Sequence, residues 1–363
     1  MEATKLNSDE YNNKIIIVLL SIICVIIIGM LLKNASTIFI PFVLAVFLTF
    51  ILNPIITSFE KIRIPSSLAI LLSIILTLGV LVIIGNFIKG SIQSFVVEFP
   101  KYEGQINQIG KDVMNFFGIS SPSTTSGQSG WQDNPQVAAI LENLSIPALA
   151  KVIVESIGSF LSNAFFIFII LMFLLAGRNQ FIKKSHIAFK SEVSERIVKI
   201  VGNINKQIQQ YLVAKTLISL LTAFLVMIVL YLFDLEFLGI WVLMTFLLNF
   251  IPTVGSLVAT LLPVPMAIIQ FDSLGMVVWM VICIAFIQIV IGNIIEPKIV
   301  EKRINLSPII LMFSLTLWGY LWGVIGMFLA VPIMVMLRIV FENIEGLRFL
   351  SVYMGTAPDD QKK

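Results

Sequence analysis

Eight apolar stretches of this chain run for 18 residues or more without an Asp, Glu, Lys or Arg: 15–32, 34–59, 64–88, 156–177, 216–233, 237–271, 273–295 and 304–337. A helix needs roughly 20 apolar residues to cross a hydrocarbon core about 30 Å thick. A charge at the centre of that core costs about 2.5–3.5 kcal/mol on insertion scales. The pattern therefore predicts an all-α, polytopic integral membrane protein of about eight transmembrane helices. Composition agrees: 58% of the residues are hydrophobic and 12% charged, against about 45–50% and about 25% in a soluble domain. The lipid bilayer must cover what polar side chains cannot. A ninth uncharged run, 113–132, is rich in Ser, Gly and Thr and reads as a loop.

The first stretch reads as an anchor. Its leader sets Lys5 and Lys14 against Glu2, Asp9 and Glu10, so it lacks the positive n-region of a secretory signal. Cys24 and Cys283 both fall inside apolar stretches and read as small core hydrophobes.

Two runs are too long for a plain crossing. The sixth, 237–271, would make a helix of about 52 Å. It carries Pro252, Gly255, Pro263 and Pro265, which predicts a broken or re-entrant segment near 249–256. The last, 304–337, has Pro308 near its start and Pro332 near its end. It reads as one tilted or kinked helix with an entry turn before Pro308.

Basic residues set the orientation. Seven Lys/Arg lie between Arg178 and Lys206, and Lys61 and Arg63 occupy the loop after the second run, whereas 89–155 has four lysines against six acidic residues. The positive-inside rule places both termini in the cytoplasm. This divides the chain into transmembrane helices 1–3 (1–89), an extracytoplasmic segment with short helices and a Ser/Gly linker (90–155), helix 4 (156–177), a cytoplasmic amphipathic basic segment (178–210), helices 5–8 (211–337) and a cytoplasmic tail (338–363). Lys298, Lys302 and Arg303 disagree, because this count of crossings puts them outside. Within 178–210, Val193, Ile197, Ile200, Ile204 and Ile208 line one helical face, for anionic lipid or for packing against neighbouring subunits or helices.

Several function classes find no support. There is no G-x-x-x-x-G-K-[ST] phosphate loop, no H-E-x-x-H helix, no Asp pair within two spans, no Arg-rich voltage sensor and no TVGYG-like filter. The one histidine, His186, sits in a basic loop without metal-ligand partners. A net charge of +3 is too small to suggest nucleic acid. No enzyme activity, cofactor or metal is expected.

Polar and helix-breaking residues inside a bilayer persist mostly where they line a cavity or face another helix. They concentrate first at Asn249-Phe-Ile-Pro-Thr-Val-Gly-Ser256, where Pro252 and Gly255 free backbone groups and Asn249, Thr253 and Ser256 add polar side chains. The bland alternative is a proline kink satisfied by neighbouring helices. The second concentration is Gln288, Asn293, Glu296 and Pro297 at the end of the seventh run. Glu296 gates, binds a cation or exchanges a proton, or else pairs with Lys298 or another nearby basic residue at the interface. The third is Gly319, Gly323 and Gly326, read as helix-packing positions. Asp234 and Glu236 lie in a short outer turn, either as solvated turn residues or as an acidic mouth attracting cations.

A family resemblance emerges from these motifs in order. Pro41-Phe42 with Asn53-Pro54, the long outer segment after the third run, Asn249-Phe-Ile-Pro-Thr-Val-Gly255, Gly292-Asn-Ile-Ile-Glu-Pro297 with Leu306-Ser-Pro308, and Gly323-Val-Ile-Gly-Met-Phe-Leu-Ala-Val-Pro332 together resemble the AI-2E family of bacterial membrane transporters. Relatives often read Pro-aromatic-Val-Gly-Pro in the sixth run, where this chain has Thr253 and Ser256 at the second and fifth places. The resemblance implies an ATP-independent secondary exporter of the inner membrane, in a family named for autoinducer-2. Other members resemble sodium(lithium)/proton antiporters, and members are expected to form homo-oligomers. The expectation is thus a transporter of a small solute or of a monovalent cation and proton, with a non-transporting scaffold as the third reading. In a signal exporter, Asn249, Thr253 and Gln288 would hydrogen-bond a hydroxylated solute; in an antiporter, Glu296 would be the exchanging carboxylate.

Overall fold

A computed structural model describes residues 2–102, 104–105, 108, 164–177, 180, 184–271, 273–301 and 306–356. Most of the 90–155 segment, with the short helices and the Ser/Gly linker expected there, lies outside these. The described residues are helical with no strand, as the charge-free runs require. In chain order the helices are α1 (Glu2–Asn34), α2 (Ser36–Lys61), α3 (Ser66–Glu98), α4 (Ala164–Gly177), α5 (Ser191–Leu232), α6 (Leu238–Leu248), α7 (Val254–Leu261), α8 (Val264–Gln270), α9 (Leu274–Val290), α10 (Pro308–Glu342) and α11 (Arg348–Met354). Among the described residues, six helices are long and apolar enough to cross a membrane: α1, α2, α3, α5, α9 with its extension to Ile299, and α10.

The protein is an all-α polytopic membrane protein, and α5 is its central post. This one helix of 42 residues joins the amphipathic segment to the fifth apolar run without a break at 210. Ile200, Ile204 and Ile208 on its first half pack into the main core with α10, while Arg196, Lys199 and Lys206 stay exposed. Of the two uses foreseen for that face, packing against neighbouring helices is what these three isoleucines do. Val193 is exposed. A second core joins α5 to α8 and α9 through Val226, Leu230, Met266, Met280 and Ile284, and a third joins α2, α3 and α4 through Leu52, Ile56, Ile74 and Leu171. Among the described side chains of α1, from position 15 on, nearly every apolar one is exposed, Cys24 included. Cys24 is therefore not the core hydrophobe expected: α1 packs on one edge of the bundle and turns its surface to lipid. Cys283 is half-buried.

The sixth run is a helical hairpin. It rises through α6, turns at 249–253 and returns through α7 and α8. Its two ends meet: the Glu236 N–H donates to Gln270 Oε1 at 2.8 Å, and Gln270 Nε2 donates to the Asp234 carbonyl at 2.6 Å. At the turn, a Cβ on Gly255 would lie 1.8 Å from the Leu248 carbonyl oxygen, so no larger residue permits the two arms to approach this closely. The break predicted near 249–256 is present, and the segment starts and finishes at one level.

The eighth run corrects its reading as one tilted or kinked helix. The entry turn is as foreseen: Ser307 Oγ accepts from the Ile310 N–H at 3.3 Å, and Pro308 takes the first turn. At Gly323, however, φ is 64° and ψ −144°, a conformation open in practice only to glycine. The chain folds back there, placing Gly326 against the Trp318 carbonyl and Gly319 against Met327. Ser307 donates its N–H to the Met354 carbonyl at 2.9 Å, which a straight 35-residue rod of about 52 Å would forbid. Gly323 is therefore a turn residue; a Cβ there would meet open space. Gly326 and Gly319 do serve packing, but between arms of one hairpin. The turn of this second hairpin rests on the end of α1, where Trp322 Nε1 donates to the Leu32 carbonyl at 3.0 Å and Lys33 Nζ sits 3.7 Å from the Tyr320 ring centroid.

Candidate functional site

Beyond Val290 the chain of α9 widens. Residues Ile291–Ile295 and Pro297–Glu301 wind as π-helical turns. The cause is local: the Pro297 ring would collide with the carbonyl four residues back in a tight α-helix, and Gly292 and Asn293 are weak helix formers. Such wide turns are frequent at functional sites. Here they bring Gln288, Gly292, Asn293, Glu296 and Pro297 to one cavity wall.

The turn of the first hairpin supplies the opposite wall. Asn249, Pro252, Thr253 and Ser256 line the same cavity, with Thr260 one turn further on. Asn249 is buried and donates from Nδ2 to Ser219 Oγ at 3.1 Å and Thr222 Oγ1 at 3.4 Å, tying the turn to α5. Thr253 takes φ 57° and ψ −56°, a strained conformation for a β-branched residue, costing about 1–3 kcal/mol. Gly255 does not reach the cavity; it lies behind the wall, where it lets the turn close.

The third wall comes from α5. Tyr211 and Lys215 line the cavity, and Lys215 is 1% exposed, among the most deeply buried large side chains of the molecule. Its ammonium forms an ion pair with Glu296. The alternative that Glu296 pairs with a basic residue holds in kind, but the partner is Lys215, 81 positions away, and not Lys298. Leu306, Pro308, Leu311 and Val331 of the second hairpin region close the space. The cavity measures about 560 Å³, within the range of small-ligand sites. Among the described residues that line it, Lys215 and Glu296 alone carry charge.

The other expected positions lie elsewhere. Asp234 and Glu236 stand at the root of the first hairpin, and neither lines the cavity. Glu236 pairs with Lys101, at the end of α3, and its carbonyl accepts from Trp241 Nε1 at 2.8 Å. Outside the spans, the Glu236 hydrogen bond holds the Lys101 amine above the usual lysine range, and desolvation pushes the Tyr102 hydroxyl up. Of the two acidic residues in this turn, Glu236 is the one partnered to Lys101.

Sequence reasoning missed Lys215, Tyr211 and Thr260. One signal could have found the first two: Tyr211, Lys215, Ser219 and Thr222 recur at intervals of four, four and three along a helix otherwise apolar on that side. All four are buried.

Comparison with known proteins gives the same picture over nearly the full length. Residues 15–346 match the AI-2E family transporter description. A Borreliella burgdorferi protein bearing a transport-protein name is 32% identical over 325 residues, covering 89% of this chain and 86% of the relative. One from Haemophilus influenzae, similarly named, is 29% identical over 94% of this chain and 97% of its own. The AI-2 transport protein TqsA of Escherichia coli is 25% identical over 94% of this chain and 95% of its own.

Proposed function

Because this chain belongs to the AI-2E family of membrane transporters, we propose that it exports a small, oxygen-rich solute such as autoinducer-2 through the cavity between the first hairpin, α5 and the π-helical turns, without hydrolysing nucleotide. The observation that carries this reading is the cavity itself. Asn249, Thr253, Ser256, Gln288, Asn293 and Glu296 converge, with Lys215, on one space inside an apolar bundle. Buried polar groups in lipid surroundings are costly unless a function uses them. The TqsA name supports the choice of solute, and the transport names of the relatives support a non-enzymatic role.

The same reading places the protein in a bacterial inner membrane with both termini in the cytoplasm. Each hairpin returns to the side from which it starts, so the crossings of this reading are α1, α2, α3, α5, α9 and the apolar run 156–177, of which α4 is the described part. Lys298, Lys302 and Arg303 then fall in the cytoplasm with the other basic loops, which removes the disagreement met in the sequence. A homo-oligomer, expected from the family, remains part of the proposal.

Cation/proton antiport is the second reading, favoured by a carboxylate, Glu296, in the cavity wall. It ranks lower because the Lys215 ammonium already holds the place a cation would take. Flux from proteoliposomes separates the two. Outward movement of autoinducer-2, lost in Asn249→Leu, supports export. Sodium-dependent proton movement, lost in Glu296→Gln with no solute flux, supports antiport and overturns the export reading.

A further inference from the structure

A buried ammonium and an unpaired buried amide donor face three hydroxyls whose protons are committed elsewhere, and from that arrangement we infer that the occupant carries an oxyanion at one end and hydroxyl groups at the other, as a small hydroxy acid or sugar acid does. This rests on the transport reading and adds the chemical class of the solute.

On the α5 and α9 side, beside Glu296 and Asn293, stand two strong donors. Lys215 is an ammonium with three N–H groups and no accepting capacity, almost wholly buried and paired with Glu296. Gln288, 7% exposed and lining the same cavity, has an Nε2 with no hydrogen-bond partner among the described residues. A buried amide donor left unpaired is destabilising, and native structures keep few of them without a use.

Acceptors lie on the hairpin side. The Thr253 hydroxyl donates to the Pro252 carbonyl at 2.7 Å, Ser256 to the Thr253 carbonyl at 2.8 Å, and Thr260 to the Ser256 carbonyl at 2.9 Å. Each hydroxyl has a single proton, so with those committed the three oxygens are left with lone pairs alone.

A neutral polyol would satisfy the accepting half and leave the ammonium and the Gln288 amide to weaker partners. A metal or alkali cation would meet a carboxylate already neutralised by Lys215. An oxyanion engages Lys215 and Gln288 together, while its hydroxyl groups donate to Thr253, Ser256 or Thr260. Glu296 is then the counter-ion of Lys215 in the empty state, displaced when the solute arrives. Charge-assisted bonds of this kind are about twice as strong as neutral ones.

The test uses the full chain in nanodiscs, heated with sodium glycerate or gluconate and with the matching alcohols glycerol and sorbitol at equal ionic strength. Ligand binding to the folded state raises the unfolding temperature. The acids are expected to raise it by several degrees and the alcohols not at all. Gln288→Leu removes an unpaired donor, so it should unfold no lower than the parent yet need roughly tenfold more acid for the same shift. Glu296→Gln, lacking the competing carboxylate, should need less acid.

Equal protection by acids and alcohols, protection by neither, or an unchanged acid response in Gln288→Leu each overturns the assignment. Proteoliposome flux distinguishes the two levels. Vesicles that move autoinducer-2 while the protein ignores the acids sink the oxyanion class and leave transport intact. Acid protection that depends on Gln288, in vesicles that pass no solute under any gradient, supports the pocket chemistry and sinks transport.

Discussion

Lys215 of α5 and Glu296 of the π-helical turns meet as an ion pair in the cavity wall. The pair joins the longest helix of the molecule to the widened end of α9. Removing one partner from a buried pair leaves an uncompensated charge, at a cost of about 3–5 kcal/mol, whereas replacing both is often nearly neutral. Lys215→Met alone should therefore lower the unfolding temperature in detergent markedly, and Lys215→Met/Glu296→Gln should recover most of the loss. Solute flux should be absent from both. Single effects that simply add in the double variant would show that the two side chains are not coupled.

How much of this was legible follows from what hydropathy measures. It reports whether a segment prefers oil, so all the apolar runs with described residues correspond to apolar helices. It does not report whether a segment crosses or comes back. The first hairpin left a trace because Pro252 and Gly255 interrupt a run too long for one crossing. The second left a fainter one: Gly323 is one glycine among three, and only its backbone angles distinguish a reversal from a packing notch. Lys215 escaped because a lysine at the edge of a charge-free run reads as a boundary, and its stripe with Tyr211, Ser219 and Thr222 shows only when positions are laid on a helix. Glu296 was visible, but not the partner 81 positions away.

The turn glycines should respond to alanine according to what a Cβ would meet. At Gly255 and Gly326 it would lie 1.8 Å and 1.9 Å from the backbone carbonyls of Leu248 and Trp318. Backbone cannot yield as a side-chain tip can, so Gly255→Ala and Gly326→Ala should each cost 3 kcal/mol or more, on the order of the largest single-site effects. Gly292 lines the cavity but has nothing within 4 Å of a Cβ. Gly292→Ala should leave the unfolding temperature within about a degree while changing the flux. Thermal unfolding followed by tryptophan fluorescence distinguishes them. Equal losses at all three positions would contradict the hairpin geometry.

The Lys101–Glu236 pair ties the end of α3 to the root of the first hairpin, and its pH dependence has a definite sign. Contact with Glu236 raises the folded-state value of Lys101 above its ordinary 10.5. The unfolded chain therefore loses this proton first. Stabilisation from the pair is complete below the ordinary lysine value and fades as pH climbs through the raised one. The difference in unfolding temperature between the parent and Lys101→Met should stay constant from pH 7 to 9 and shrink only above about 10.5. Because Lys101 is exposed, the difference should also diminish with added salt. A gap that closes below pH 9 would show that Glu236 does not hold Lys101 above its ordinary value, and one that persists unchanged well above pH 11 would assign the effect of Lys101 to packing.

Topology gives the sharpest contrast, because two counts of crossings place the same residue on opposite faces. If 237–271 and 304–337 each crossed the membrane, Lys298 would be extracytoplasmic. With both as hairpins, Ser273 stays on the outer side beside the Asp234–Gln270 contact, α9 carries the chain inward, and Lys298 becomes cytoplasmic. Single cysteines at these positions, in a background with Cys24 and Cys283 replaced by Ala, should react oppositely in intact cells. Ser273→Cys should be blocked by a membrane-impermeant maleimide added outside. Lys298→Cys should be blocked only after permeabilisation. Asn343→Cys, at the foot of the second hairpin where Arg196 bonds its carbonyl, should behave like position 298. Labelling of 298 from outside would return α10 to a crossing and leave its reversal at Gly323 without a membrane in which to make sense.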